Sequence, residues 1–144
     1  MWCGNIAHNG TCGIGCEEDW ASHFLEHEVS AIYNVTHGAG LSVIVPAWMT
    51  FMAEHNPKKI AQFATRVLGV PESEDLEEMA LAGVSRLKFF FRYMGLPVNF
   101  KELGIENPDI DRLADSLHRN KGEFVGNYVK LTKQDSKEIY RLAL

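Results

Sequence analysis

Three histidines, His23, His27 and His37, lie within fifteen positions in the segment DWASHFLEHEVSAIYNVTHGAG. Neutral imidazole is the commonest protein ligand for divalent transition metals, so metal chemistry is the first candidate. On a helix, residues four apart share a face, so spacing alone allows His23 and His27 to chelate one ion. HFLEH also fits the pattern H-x-x-E-H, in which both histidines hold zinc and Glu26 would serve as the general base of a peptidase. That arrangement needs a third ligand, a distant carboxylate such as Glu102 or Glu106, and it leaves His37-Gly38-Ala39-Gly40 without a role. Gly38 and Gly40 would let backbone approach a ligand closely beside His37.

The other candidates for chemistry are weaker. Nothing near His8, His55 or His118 points to a ligand role. Cys3, Cys12 and Cys16 follow C-x8-C-x3-C, which matches no familiar metal pattern, and they read as free thiols in a reducing compartment.

The elements that must position these side chains all read as helices, and the chain is expected to be all-α. A short helix covers the first nine residues and breaks in the Gly-rich segment Gly10 to Gly15. Asp19 is the expected N-cap of a histidine helix running from Trp20 to Asn34. At 100° per residue, His23, His27, Ser30 and Asn34 fall within roughly 60° of one another. Ala21, Leu25, Val29 and Ile32 lie opposite, so the core is behind the histidines and their stripe faces something else.

A third helix after His37-Gly38 is apolar nearly all round, with Pro46 as a kink point. Asn56 and Pro57 start a fourth with Ile60, Phe63, Ala64, Val67 and Leu68 on its buried face, ending at Gly69. The fifth spans Ser73 to Met94, with Leu76, Ala80, Gly83, Val84, Leu87, Phe90 and Met94 inward; Gly95 and Pro97 stop it. Asn107-Pro108 opens a sixth with Ile110, Leu113, Ala114 and Leu117 inward. Thr132 and Asp135 cap a last one reaching Leu144.

Composition narrows the functional classes. The 144 residues are 46% hydrophobic and 23% charged, with a formal charge of −5. That fits one globular domain, residues 1–144. No Lys/Arg stripe could follow a phosphate backbone, which excludes nucleic acid as a partner. The longest apolar run, Leu41 to Ala53, is about two-thirds of the roughly 20 residues a membrane span needs. It reads as a buried core helix interrupted by Pro46. No charged and then apolar leader opens the chain, so the sequons at Asn9 and Asn34 are read as accidental and the location as cytoplasmic.

The longer pattern H-x3-H-x9-H-G-x-G, set between Asp19-Trp20-Ala21 and an apolar helix, resembles the metal-site signature of the iron-containing alcohol dehydrogenases. MWCGNIAHNG, HEVSAIYNVTHGAGL, AQFATRVLGV and FFRYMGLPVNFKELGI look most like the NAD(P)H-dependent butanol dehydrogenase and aldehyde reductase branch. The resemblance covers the whole chain, but only the C-terminal, helical part of a complete enzyme of the dehydroquinate synthase-like fold. It implies a dinucleotide-binding α/β domain, absent here, that binds most of the NAD(P)H, and a cleft between the domains for metal and substrate. No cofactor-binding residue is assigned within these residues, and Gly13 and Gly15 do not replace the missing pyrophosphate loop.

The same resemblance implies four metal ligands: an Asp and a His with no counterpart here, then His23 and His37. His27 becomes a cleft residue that relays a proton rather than a ligand. The implied metal is Fe(II) or Zn(II), the substrate a small alcohol or aldehyde, and the complete enzyme a homodimer. The chain by itself is then expected to be inactive, its partner being the missing domain or a separately encoded equivalent. A zinc peptidase using HFLEH and a non-catalytic helical interaction module are the competing readings.

Overall fold

The computed structural model describes all residues, Met1–Leu144. It is all-helical, as expected, with α1 (Trp2–His8), α2 (Ala21–Tyr33), α3 (His37–His55), α4 (Lys58–Arg66), α5 (Leu76–Tyr93), α6 (Ile110–Lys121) and α7 (Lys133–Leu142). One isolated antiparallel bridge joins Val125 to Leu131. No helix is long and apolar enough to cross a membrane.

The apolar α3 lies at the centre, packed against α2, α4, α5 and α7, while α6 closes the far side against α2 and α7. Its Val43, Ile44, Ala47, Phe51, Met52 and Ala53 are buried on several faces, which is why its apolar residues show no single stripe. The helix runs unbroken through Pro46.

The turn chemistry largely follows the sequence. Thr132 and Asp135 form a full capping box at α7, and Asp75 and Asp109 accept the backbone N–H groups of Glu78 and Arg112 at α5 and α6. Several boundaries move: α6 is capped by Asp109 rather than opened by Asn107-Pro108, and α7 ends at Leu142 rather than Leu144. Asn56 closes α3 rather than opening α4, whose N-cap is Pro57, and α5 begins at Leu76 rather than Ser73. Asp19 sits one place before the N-cap of α2, which is Trp20. Its Oδ1 still accepts the Ala21 N–H, and its Oδ2 accepts from the N–H groups of Asn127 and Tyr128, clamping the start of α2 to the segment before α7.

Four residues expected to face inward are exposed: Leu76 and Phe90 on α5, Met94 just beyond it, and Val67 just beyond α4. Leu76 and Met94 lie at the two ends of α5 and Val67 at the end of α4, where a helix has fewer neighbours to cover it. The buried part of α5 is Met79, Ala80, Gly83, Val84 and Leu87. Gly83 allows the closest approach, since a Cβ there would fall on the Cβ of Ala64 in α4.

Candidate metal centre

The site forms where α2 turns into α3. Asn34 takes the left-handed conformation (φ 53°) that ends α2, and its N–H bonds back to the Ser30 carbonyl. Asparagine tolerates that backbone geometry better than most residues. Only Val35 and Thr36 then separate Asn34 from His37, the first residue of α3. This short connection folds α3 back along α2 and places His37 beside the residues one to two turns before the end of α2.

The three histidines come together. Ring centroids are 5.2 Å apart for His27 and His37, 5.6 Å for His23 and His37, and 6.5 Å for His23 and His27. Behind them Ala21, Leu25 and Val29 are fully buried, so the stripe faces away from the core as its spacing implied. His27 and His37 are exposed and His23 is half-buried.

Two further residues join the group. Glu26 is fully buried, accepts the hydroxyl of Ser30 on Oε1, and pairs through Oε2 with Nδ1 of His37. Its carboxylate occupies the space that a side chain at position 40 would need. Gly40 therefore makes room for Glu26, not for a ligand; Gly38, by contrast, borders open space. The second addition is His8 on α1, whose ring stacks on His23 at 6.2 Å and meets Trp20 edge-on at 5.5 Å. Nothing local foretold it, because the chain returns through the turn at Thr11–Gly13 before α2 begins.

Electrostatics favour neutral imidazole at the centre. Burial holds the His23 pKa below the ordinary histidine value, and repulsion from His37, His27 and His8 lowers it further, with Glu26 opposing. A neutral imidazole presents a lone pair. The donor atoms of Glu26, His27 and His37 lie within 4.8 Å of one another, a set that takes in His27 and leaves out His23. These donors suit a divalent iron or zinc ion.

The requirements of a peptidase are poorly met. A general base must reach a water molecule, yet Glu26 is buried with both oxygens engaged. Glu102, one of the carboxylates considered as a third ligand, accepts from Arg92, the Val98 N–H and Asn99 in the loop after α5. The remaining histidines have structural partners: His55 bonds to the Phe51 carbonyl and stacks on its ring, and His118 links Gly122 to Ser136. The three cysteines are free and exposed.

Comparison with known proteins decides the family. The model of the Fe-containing alcohol dehydrogenase family, C-terminal, matches residues 1–144. The chain belongs to the iron-containing alcohol dehydrogenase family. A probable NADH-dependent butanol dehydrogenase 1 of Bacillus subtilis is 36% identical over 145 residues, which is 100% of this chain and 37% of that protein.

Solved members of the family agree in fold. NADH-dependent butanol dehydrogenase A of Thermotoga maritima superposes with a TM-score of 0.88 at 35% identity, over 99% of this chain and 37% of its own. YqhD of Escherichia coli K-12 gives 0.91 at 29% identity, over 100% of this chain and 37% of its own. The 144 residues thus span a little over a third of these family members and match their C-terminal, helical domain.

Proposed function

We propose that this helical domain, residues 1–144, forms the metal-binding wall of the active-site cleft in a cytoplasmic NAD(P)H-dependent alcohol dehydrogenase. The enzyme interconverts small primary alcohols and aldehydes and works as a homodimer when joined to its dinucleotide-binding domain. The observation that carries this reading is the gathering of His23, His27 and His37 at the α2–α3 turn, within a chain that matches the family over its whole length.

His23 and His37 would hold Fe(II) or Zn(II), two of the four ligands a complete site needs. When bound, the metal supplies charge stabilisation to the substrate oxygen and the nicotinamide carries the hydride. The residues of this chain orient and protonate. His27, exposed and one turn from His23, would exchange a proton between the cleft and solvent, while the wall of Ala21, Leu25 and Val29 keeps water from reaching the site from the core side.

Co-expression with the N-terminal half of a close relative, followed by aldehyde-dependent NAD(P)H oxidation, tests the assignment. Activity is expected only with both halves present and is expected to vanish in His23→Ala and His37→Ala. Undiminished turnover in the variant lacking both histidines refutes it. The isolated chain is expected to be inactive.

A further inference from the structure

A buried carboxylate is costly unless its oxygens are paired, and Glu26 has no exposed side-chain surface at all. Three features of the sequence converge on keeping it there. Ser30, one turn along α2, donates its hydroxyl to Oε1; Nδ1 of His37 meets Oε2; and the missing side chain of Gly40 leaves the space the carboxylate fills. The carboxylate also lies against the first turn of α3, where the positive end of the helix dipole favours an anion. None of these features is required for packing α2 on α3, which an aliphatic residue at position 26 would do without burying a charge.

We propose that Glu26 is the positioning residue of this metal site: it accepts the Nδ1–H of His37, fixes that ring and its tautomer, and so leaves the His37 Nε2 lone pair free to bind the metal. A neutral imidazole has one N–H and one lone pair, so committing Nδ1–H to the carboxylate commits the lone pair to Nε2. The buried negative charge also makes that nitrogen a stronger donor, as outer carboxylates do for ligating histidines. This inference rests on the assignment of His37 as a ligand. It gives Glu26 a part that is neither ligand nor general base.

The tautomer can be read without any metal. In 15N-labelled protein at about pH 8.5, well above the ordinary imidazole pKa, long-range 1H–15N spectra are expected to show His37 as the Nδ1–H form. In Glu26→Leu, which fills the space without accepting a hydrogen bond, it is expected to revert to the Nε2–H form that free imidazole prefers. Zinc(II) titrated into the chain is followed on the same ring resonances. Glu26→Gln keeps the shape but not the charge and is expected to weaken zinc by about 10–100-fold, less than the loss in His37→Ala.

A wild-type His37 in the Nε2–H form overturns the proposal. So does zinc affinity in Glu26→Gln equal to wild type, which would make the contact merely structural. A loss as large as that of His37→Ala also overturns it, because Glu26 would then be a ligand itself. Zinc that moves neither the His23 nor the His37 resonances counts against the metal assignment instead, while the tautomer still decides the role of Glu26.

Discussion

Alanine placed at Gly38 and at Gly40 should change stability in opposite directions, although the two glycines lie in the same first turns of α3. Replacing glycine by alanine inside a helix gains up to about 1 kcal/mol. At Gly38 nothing lies within 4 Å of the added Cβ, so that gain is expected to appear. At Gly40 the new Cβ would fall on the carboxylate of Glu26. Overpacking of this kind costs about 1–3 kcal/mol. If the carboxylate instead swings aside, it abandons Ser30 and His37, and a buried polar group left without partners costs a similar 1–3 kcal/mol or so. Either route outweighs the propensity gain, so Gly40→Ala should lose about 1–2 kcal/mol net.

Thermal unfolding of the chain followed by circular dichroism measures both, with about 2–4 °C of Tm expected for each kcal/mol. The cause is isolated by a cycle with Glu26→Ala, which removes the group that Gly40 accommodates. In that background Gly40→Ala should cease to destabilise, giving a coupling of at least about 1 kcal/mol. Gly40→Ala as stable as Gly38→Ala, or a penalty unchanged by Glu26→Ala, would refute the packing argument.

Other perturbations probe the scaffold. Gly83→Ala forces a Cβ onto Ala64 where α4 and α5 are closest, so it should destabilise by about 1–3 kcal/mol in urea denaturation; combining it with Ala64→Gly should restore most of that, and no recovery would count against the contact. Tyr140 is fully buried and its hydroxyl donates to the Leu25 carbonyl in α2 at 2.8 Å, so Tyr140→Phe should cost about 0.5–1.5 kcal/mol. Glu102 is held below the usual carboxylate value by its hydrogen bond to Arg92, then by the Val98 N–H. A depressed folded-state pKa contributes stability that is present above the unfolded value, 4.5, and is lost as pH falls through the folded one. Glu102→Gln should therefore be less stable than wild type at neutral pH and show a flatter fall in stability below about pH 4.5; parallel curves would contradict this.

What the sequence made legible was local. The capping box at Thr132 and Asp135 is readable because both partners lie within one turn, and the stripe of His23 and His27 opposite Ala21, Leu25 and Val29 is a property of one helix. Phe90 and Met94 share the periodicity of the buried face yet are exposed, because whether the last turn of a helix is covered depends on its neighbours and not on its own spacing. The sequence singles out Glu26 only as the general base of the HFLEH pattern, and its burial against His37 is not legible for a similar reason. It sits at the edge of the polar stripe, about 40° from Ser30 on the wheel, and nothing in α2 itself says whether that edge is wet. The decision is made by Gly40 from another helix. A glutamate four residues before a serine, followed by a glycine in the next helix's first turns, is the sequence signal for that burial.

The electrostatics of the cluster fit the proposed metal, because they favour a neutral His23 with its lone pair available. His8, His23, His27 and His37 crowd within about 6.5 Å of their neighbours, with Glu26 as the buried compensating charge. Protonating every ring would set imidazolium cations against one another, and the lowered pKa of His23, caused first by burial and then by His37, His27 and His8, records that cost. On the proposed assignment, one divalent ion shared by His23 and His37 would replace several separate positive charges by a single centre bound to lone pairs, with the Glu26 carboxylate behind it. Protons and metal would then compete for the same nitrogens, so acid that protonates the cluster is expected to release the ion.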